Sequence, residues 1–153
     1  MQRIEAITTE DFELAKALFS EYAEWLGIDL GFQQFDKELT ELKAMYSRPH
    51  GVLFITLLNN EPVACVGVRP IDSGIAELKR MYVRPAFRRM GIAQDLLEAS
   101  LAFAKEAGYQ KIRLDTLDTM HPAMTLYERN GFVRIPAYYY NPEENAVYFE
   151  REL

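Results

Sequence analysis

YVRPAFRRMGIAQDLL, residues 82–97, decides how this chain folds. It begins at the end of a run of strand formers, Pro85 and the RRMG loop then interrupt regular backbone, and from Ile92 apolar residues return at helical spacing. A strand feeding through a tight loop into a helix is half of an α/β unit, and the loop is unusual in charge. Residues 78–94 hold five cations (Lys79, Arg80, Arg84, Arg88 and Arg89) and no carboxylate, in a chain of formal net charge -6. The unpaired amides of a helix N-terminus, with the positive end of its dipole, attract anions. Gly91 and Ala93 let an anion approach the backbone closely, Arg88 and Arg89 offer charge-assisted contacts, and the first turn supplies no acid before Asp95. The segment predicts a helix start that binds phosphate.

Working outward from it, residues 76–83 form the third strand of a meander. The first two are residues 52–58 (VLFITLL) and 63–68 (VACVGV), joined through Asn59, Asn60, Glu61 and Pro62, a turn composition. Before the meander, residues 3–7 read as a short strand. Phe12, Ala15, Phe19, Tyr22 and Leu26 then mark a helix capped at Thr8 and stopping at Gly27. Phe35, Leu39, Leu42, Met45 and Tyr46 mark a second helix, ended by Pro49. After the basic loop, Ile92, Leu96, Ala99, Phe103 and Ala107 make one helical face closed by Gly108. Residues 111–114 are a strand, 122–130 a short helix capped by Gly131, and 132–135 and 147–152 the last two strands. The order β-α-α-β-β-β-α-β-α-β-β predicts an α/β (α+β) fold: a mixed, mostly antiparallel sheet of about six or seven strands with about four helices on its two faces.

The chain of 153 residues suits one domain, taken as 1–153. No apolar run approaches the roughly 18–20 residues a membrane span requires, and the opening MQRIEAITTEDFELAK lacks the pattern of an export signal, so a cytoplasmic protein with no membrane partner is expected. Cys65 is the only cysteine and the two histidines lie far apart, which excludes an internal disulfide and argues against metal. The acidic balance argues against nucleic acid, leaving the basic segment for a small anionic ligand.

The spacing Arg-x-x-Gly-x-Ala differs from the phosphate loops of nucleotide-binding folds. It resembles the signature of the GNAT superfamily of acyl-CoA-dependent N-acyltransferases, Gln/Arg-x-x-Gly-x-Gly/Ala, with Arg88, Gly91 and Ala93 at the specified positions. LYERNGF, residues 126–132, resembles the family's second common segment, and the likeness covers the whole element order. The resemblance implies acetyl-CoA as co-substrate. Its diphosphate would lie on the amides of Arg89, Met90, Gly91, Ile92 and Ala93, and its pantetheine arm would run as an added strand beside Met81, Tyr82 and Val83. The strand ending at Val83 would splay from the one ending near Asp115, and the Val83 amide would hold the thioester carbonyl oxygen.

An acceptor amine of pKa near 10.4 is neutral only about one part in two thousand at pH 7, so attack on a thioester needs a proton sink. Glu77 is the candidate: four residues before Met81, it is expected on the same strand face, and it stands eleven before Arg88, where some family members place a glutamate base. The alternative is an ion pair with Lys79 or Arg80. Tyr127 matches the family position whose hydroxyl protonates the departing sulfur, the alternative being an aromatic that fills a helix–sheet interface. Many relatives carry Asn seven residues before that tyrosine; this chain has Met120, so contacts of that asparagine do not transfer.

Tyr22, Glu24, Trp25, Asp29 and the run Tyr138, Tyr139 and Tyr140 suit a small cationic amine, or else pack a sheet edge or a homodimer contact. The expected activity is acetyl transfer to a small-molecule amine. The alternatives are a protein or peptide N-acetyltransferase and a catalytically silent acyl-CoA sensor.

Overall fold

The computed structural model describes the backbone of residues 1–153 and every side chain but that of Phe32. The elements follow in the order β1 (Gln2–Glu5), α1 (Thr9–Leu26), α2 (Phe35–Thr40), α3 (Leu42–Met45), β2 (Val52–Leu58), β3 (Glu61–Asp72), β4 (Ile75–Val83), α4 (Ile92–Glu106), β5 (Lys111–Leu117), α5 (His121–Arg129), β6 (Val133–Ile135) and β7 (Ala146–Glu152). One seven-stranded sheet has the order β1-β2-β3-β4-β5-β7-β6, and only β4 and β5 pair in parallel. The mixed, mostly antiparallel sheet read from the sequence is the one observed, with five α-helices in place of four. The extra helix arises because the second helical pattern breaks at Glu41, where φ is -120° and ψ 21°; α2 stops there and α3 restarts.

Helix α1 starts at a reciprocal cap. Thr8 Oγ1 accepts from the Asp11 amide at 3.1 Å, and the Asp11 carboxylate accepts from the Thr8 amide at 3.1 Å. Its apolar stripe, Phe12, Ala15, Leu18 and Phe19, packs with Leu42, Tyr46, Ile55 and Tyr82 on one sheet face. On the other face Leu96, Leu97 and Phe103 of α4 and Tyr127 of α5 cover Val66, Leu78, Ile112 and Phe149. Two cores separated by one sheet follow from strands buried on both sides.

The sheet parts where the site lies. Strands β4 and β5 pair over only three residues, Ile75↔Lys111, Ala76↔Ile112 and Glu77↔Arg113, while β5 continues in register with β7 as far as Leu117↔Ala146. Beyond Glu77, β4 bends away. The register against β3 jumps from Gly67↔Lys79 to Cys65↔Tyr82, and Arg80 takes a left-handed φ of 59°, so β4 carries a bulge with one extra residue. An extra residue inverts the alternation of faces. Glu77 therefore does not share a face with Met81, as the count of four suggests: Met81 packs against the α4 core, whereas Glu77 faces Arg69 and Tyr138 on the opposite side.

The bulge turns Arg80 into the buried side of the sheet, where Glu38 of α2 meets it at 3.1 Å (Nε to Oε2) and 2.9 Å (Nη2 to Oε1), and Tyr46 donates its hydroxyl to Glu38 at 2.9 Å. Burial pushes the Glu38 carboxyl up, but its bonds to Arg80 and the charges of Arg80 and Lys79 outweigh burial and hold it below its ordinary value. A depressed folded pKa contributes stability above the unfolded pKa of about 4.3, and that contribution is lost as pH falls through the lower folded value. Glu38→Gln leaves a buried guanidinium without its counter-charge and is expected to cost roughly 3–5 kcal/mol at pH 7. Urea unfolding of wild type and variant at pH 7 and again below pH 4 checks this. The gap between the two proteins narrows in acid.

Candidate active site

A cleft of about 900 Å³ occupies the gap between β4 and β5. Of the nine residues expected to hold the cofactor, eight line it: Met81, Tyr82, Val83, Arg88, Arg89, Gly91, Ile92 and Ala93. Met90 does not; it stands at the apex of the loop, 49% exposed. Left-handed residues on both sides of it, Arg89 (φ 65°) and Gly91 (φ 79°), coil the loop so that the chain enters α4 within two residues.

The helix start matches the requirement for an anion site. No side chain caps α4, and the first hydrogen bond into it runs from the Asp95 amide to the Gly91 carbonyl at 3.1 Å, so the amides before it lie outside the helical ladder. Asp95 is engaged elsewhere, its Oδ1 accepting from Arg3 Nη1 at 2.7 Å. A Cβ built on Gly91 meets no atom within 4 Å, which leaves room for a ligand against the backbone at that point. Arg88 reaches across the mouth of the cleft, with Nε donating to the Val83 carbonyl at 3.0 Å and its guanidinium 4.5 Å from the Trp25 ring.

Tyr82 pairs with Cys65, and the Arg84 amide donates to the Val63 carbonyl at 2.9 Å, so both residues face β3. Antiparallel alternation then turns the amide and carbonyl of Val83 toward the gap. An edge in that orientation accepts an extended ligand as an added strand.

Tyr127 lines the cleft from α5 and also packs its ring 5.7 Å from Phe132 and 6.1 Å from Phe149. The residue thus belongs to the helix–sheet core and to the cleft wall at once. Burial pushes its phenol well above the ordinary range, with Tyr22 and Asp115 adding to the shift, so the hydroxyl stays a proton donor at working pH. Glu77, by contrast, is not among the lining residues. Its carboxylate accepts from Arg69 (3.1 Å from Nε) and from the Tyr138 hydroxyl (2.7 Å) on the far side of the bulge. The carboxylate in the cleft is Asp115 on β5, which accepts from the Tyr139 hydroxyl at 2.7 Å.

Sequence reasoning does not single out Asp115, Gln33 or Thr116 for the site, and names Lys79 only as a cation of the basic segment and an ion-pair partner for Glu77. The alternation of KIRLDTL, residues 111–117, carries the signal for Asp115. Its apolar members Ile112 and Leu114 and the half-apolar Thr116 are buried with the α4 core, so Arg113 and Asp115 must face the acceptor side. Of the aromatic candidates, Tyr22 and Trp25 line the cleft, Tyr138 and Tyr139 cover the acids with their hydroxyls, and Tyr140 is 81% exposed.

A splayed parallel pair opening beside an uncapped, glycine-led helix start is the arrangement that the resemblance to acyl-CoA-dependent N-acyltransferases implies. The acetyltransferase (GNAT) family model matches residues 13–132, and the chain belongs to that family as an acyltransferase. It is 36% identical over 146 residues to an N-acetyltransferase of Schizosaccharomyces pombe, covering 94% of this chain and 90% of the relative. A GNAT-family acetyltransferase from Staphylococcus aureus superposes with a TM-score of 0.80 at 23% identity, covering 99% of this chain and 98% of that one. An N-acetyltransferase from Thermoplasma acidophilum, in complex with coenzyme A, superposes with a TM-score of 0.73 at 17% identity over the full length of both chains. Among the described residues, no helix is long and apolar enough to cross a membrane.

Proposed function

We propose that this chain is an acetyl-CoA-dependent N-acetyltransferase that acetylates a primary amine of a small molecule by direct attack in a ternary complex. The observation that carries this reading is the continuity of the cleft: its walls run from the uncapped start of α4, past the outward-facing Val83 backbone, to Asp115 and Tyr127. The amides of residues 89–93, with Arg89 at the rim, would hold the diphosphate of coenzyme A, and Met81, Tyr82 and Val83 would flank its pantetheine arm. Acetyl-CoA supplies the activated thioester. The Val83 amide is oriented to stabilise negative charge on the carbonyl oxygen, Asp115 to take the proton from the amine directly or through water, and Tyr127 to protonate the departing sulfur.

Direct attack is supported by the position of the only thiol. Cys65 is fully buried, its Sγ set against the Arg80 carbonyl at 3.4 Å, and burial pushes its pKa far up, so it offers no nucleophile for an acyl-enzyme. Glu77, which the sequence marks as the base, serves in this reading to anchor Arg69 and Tyr138 behind the acceptor site.

Thiol release from acetyl-CoA, screened over polyamines, amino acids, aminoglycosides and peptides, tests the reading. Turnover with a small amine supports it, turnover confined to peptides favours a protein acetyltransferase, and coenzyme binding without turnover favours a sensor. Asp115→Asn is expected to lower kcat/KM by about 100-fold or more at neutral pH, with the loss shrinking as pH approaches the pKa of the amine. A pH profile parallel to that of wild type would remove Asp115 from the base role.

A further inference from the structure

The acceptor end of the cleft holds more charge than acetyl transfer to a simple amine requires. A side recess of about 40 Å³ opens there, lined among others by Gln33, Lys79, Arg80, Asp115 and Asn141. A single water needs roughly 10–15 Å³ by this measure, so the recess admits a group of a few heavy atoms. Its charged lining residues Lys79, Arg80 and Asp115 belong to a wider set with Arg69, Glu38 and Glu77, and these six pair unequally. Arg80 and Glu38 close two short bonds, and Glu77 is met by Arg69 at 3.0 Å and by the Tyr138 hydroxyl at 2.7 Å. Lys79 and Asp115 are left 4.0 Å apart, with Glu77 3.9 Å from the same ammonium.

The short contacts of the leftover pair go to neutral groups. Lys79 Nζ donates to Gln33 Oε1 at 3.0 Å, and Arg80 Nη1 donates to that same oxygen at 2.7 Å. Two buried cations thus converge on one uncharged acceptor, while Asp115 accepts from the Tyr139 hydroxyl. Lysine has three N–H donors and Nη1 of arginine has two, so both retain donors at this point. Lys79 is 4% exposed, and burial lowers its pKa although Glu77 and Asp115 act to raise it.

We infer that the acceptor amine carries a carboxylate, as an α-amino acid does, and that this recess receives the carboxylate on Lys79 Nζ and Arg80 Nη1 while Asp115 meets the amino group. The inference rests on the acetyl-transfer reading above and specifies its substrate class. A zwitterion placed between Lys79 and Asp115 replaces one stretched ion pair with two close ones, and the rest of the acceptor extends into the wide cleft. The ammonium first gives one proton to Asp115; the freed amine nitrogen then bonds to the acetyl carbon as the carbon–sulfur bond breaks, the departing thiolate takes a proton from Tyr127, and the second proton shed by nitrogen restores the Tyr127 phenol through water while Asp115 releases its own to solvent, giving an N-acetyl amino acid and free coenzyme A. A plain amine leaves the buried donors of Lys79 and Arg80 unmatched, and sites built to bond a polar group discriminate strongly against analogues that lack it.

Matched acceptors provide the test. Thiol release from acetyl-CoA is measured with glycine, L-leucine, L-phenylalanine and L-glutamine, each beside the amine lacking its carboxylate. The coenzyme-loaded protein is also titrated by calorimetry with the N-acetyl derivatives of both sets. In wild type, at least one carboxylate-bearing member is expected to exceed its partner by about ten-fold or more in kcat/KM and in affinity. Lys79→Met is expected to reduce that ratio, read in affinity for the N-acetyl derivatives, to within about three-fold. Equal use or equal affinity across every wild-type pair, including binding of neither member, would overturn the inference without recourse to the variant. Failure of coenzyme A itself to bind would overturn the acetyl-transfer reading, and this inference with it, so the two failures are distinct.

Discussion

Gly91→Val is expected to abolish coenzyme A binding while leaving a folded protein. Gly91 has a φ of +79°, a conformation that costs an L-residue about 1–2 kcal/mol, so some loss of stability accompanies any side chain there. That strain lowers Tm by only a few degrees for a chain of this size, about 2–4 °C per kcal/mol. The larger effect is local. A Cβ at this position meets nothing within 4 Å, and Gly91 lines the cleft at the uncapped start of α4, where the proposed diphosphate would approach the backbone. Calorimetric titration is expected to show affinity reduced by about 100-fold or more, with Gly91→Ala intermediate, because a methyl group covers less of the same amides. Wild-type affinity in a folded Gly91→Val protein would place the anion elsewhere.

Tyr127→Phe is expected to lower kcat by about 100-fold with the KM for acetyl-CoA changed by no more than about three-fold. Phenylalanine keeps the ring contacts with Phe132 and Phe149, so folding and cleft shape survive and only the hydroxyl is lost. A thiol of pKa near 8.5 leaves without a proton more readily than an alcohol does, which holds the effect toward the low end of the range for acid catalysis. The raised pKa of Tyr127 carries a further consequence. A phenol whose pKa lies above the ordinary 10 remains protonated through pH 9, so wild-type kcat is expected to show no alkaline fall below that pH from loss of the acid. Steady-state kinetics of both proteins from pH 6 to 9 check both statements. Unchanged kcat in the variant would leave Tyr127 as core alone.

Much of this site was legible because the signals were local. The basic loop, the glycine at its end and the delayed first acid of α4 stand together in sequence, and Arg88, Arg89, Gly91, Ile92 and Ala93 line the cleft at the uncapped start of α4 while Met90 does not. The hairpin of β2 and β3 was marked by Asn59 and Asn60, both left-handed in the structure. Other features depended on contacts distant in sequence. Nothing in LKRMYV announces that Arg80 is left-handed; arginine is an uncommon residue there, held by Glu38 forty-two positions away. Because that bulge inverts the alternation, counting residues from Glu77 to Met81 gave the wrong face. Strand β5 runs three residues past Leu114, held there by β7, and that extension carries Asp115 into the cleft. Likewise no Gly or Pro marks the break at Glu41 between α2 and α3, and the apolar spacing fits one helix or two.

The account depends on a diphosphate held by the peptide hydrogens at the start of α4. Its most direct test is a calorimetric comparison of coenzyme A, dephospho-coenzyme A and pantetheine on the purified protein. The two ligands that contain a diphosphate are expected to bind within about ten-fold of each other, and pantetheine at least about 100-fold more weakly. Pantetheine binding as tightly as coenzyme A, or no heat from any of the three, would contradict it.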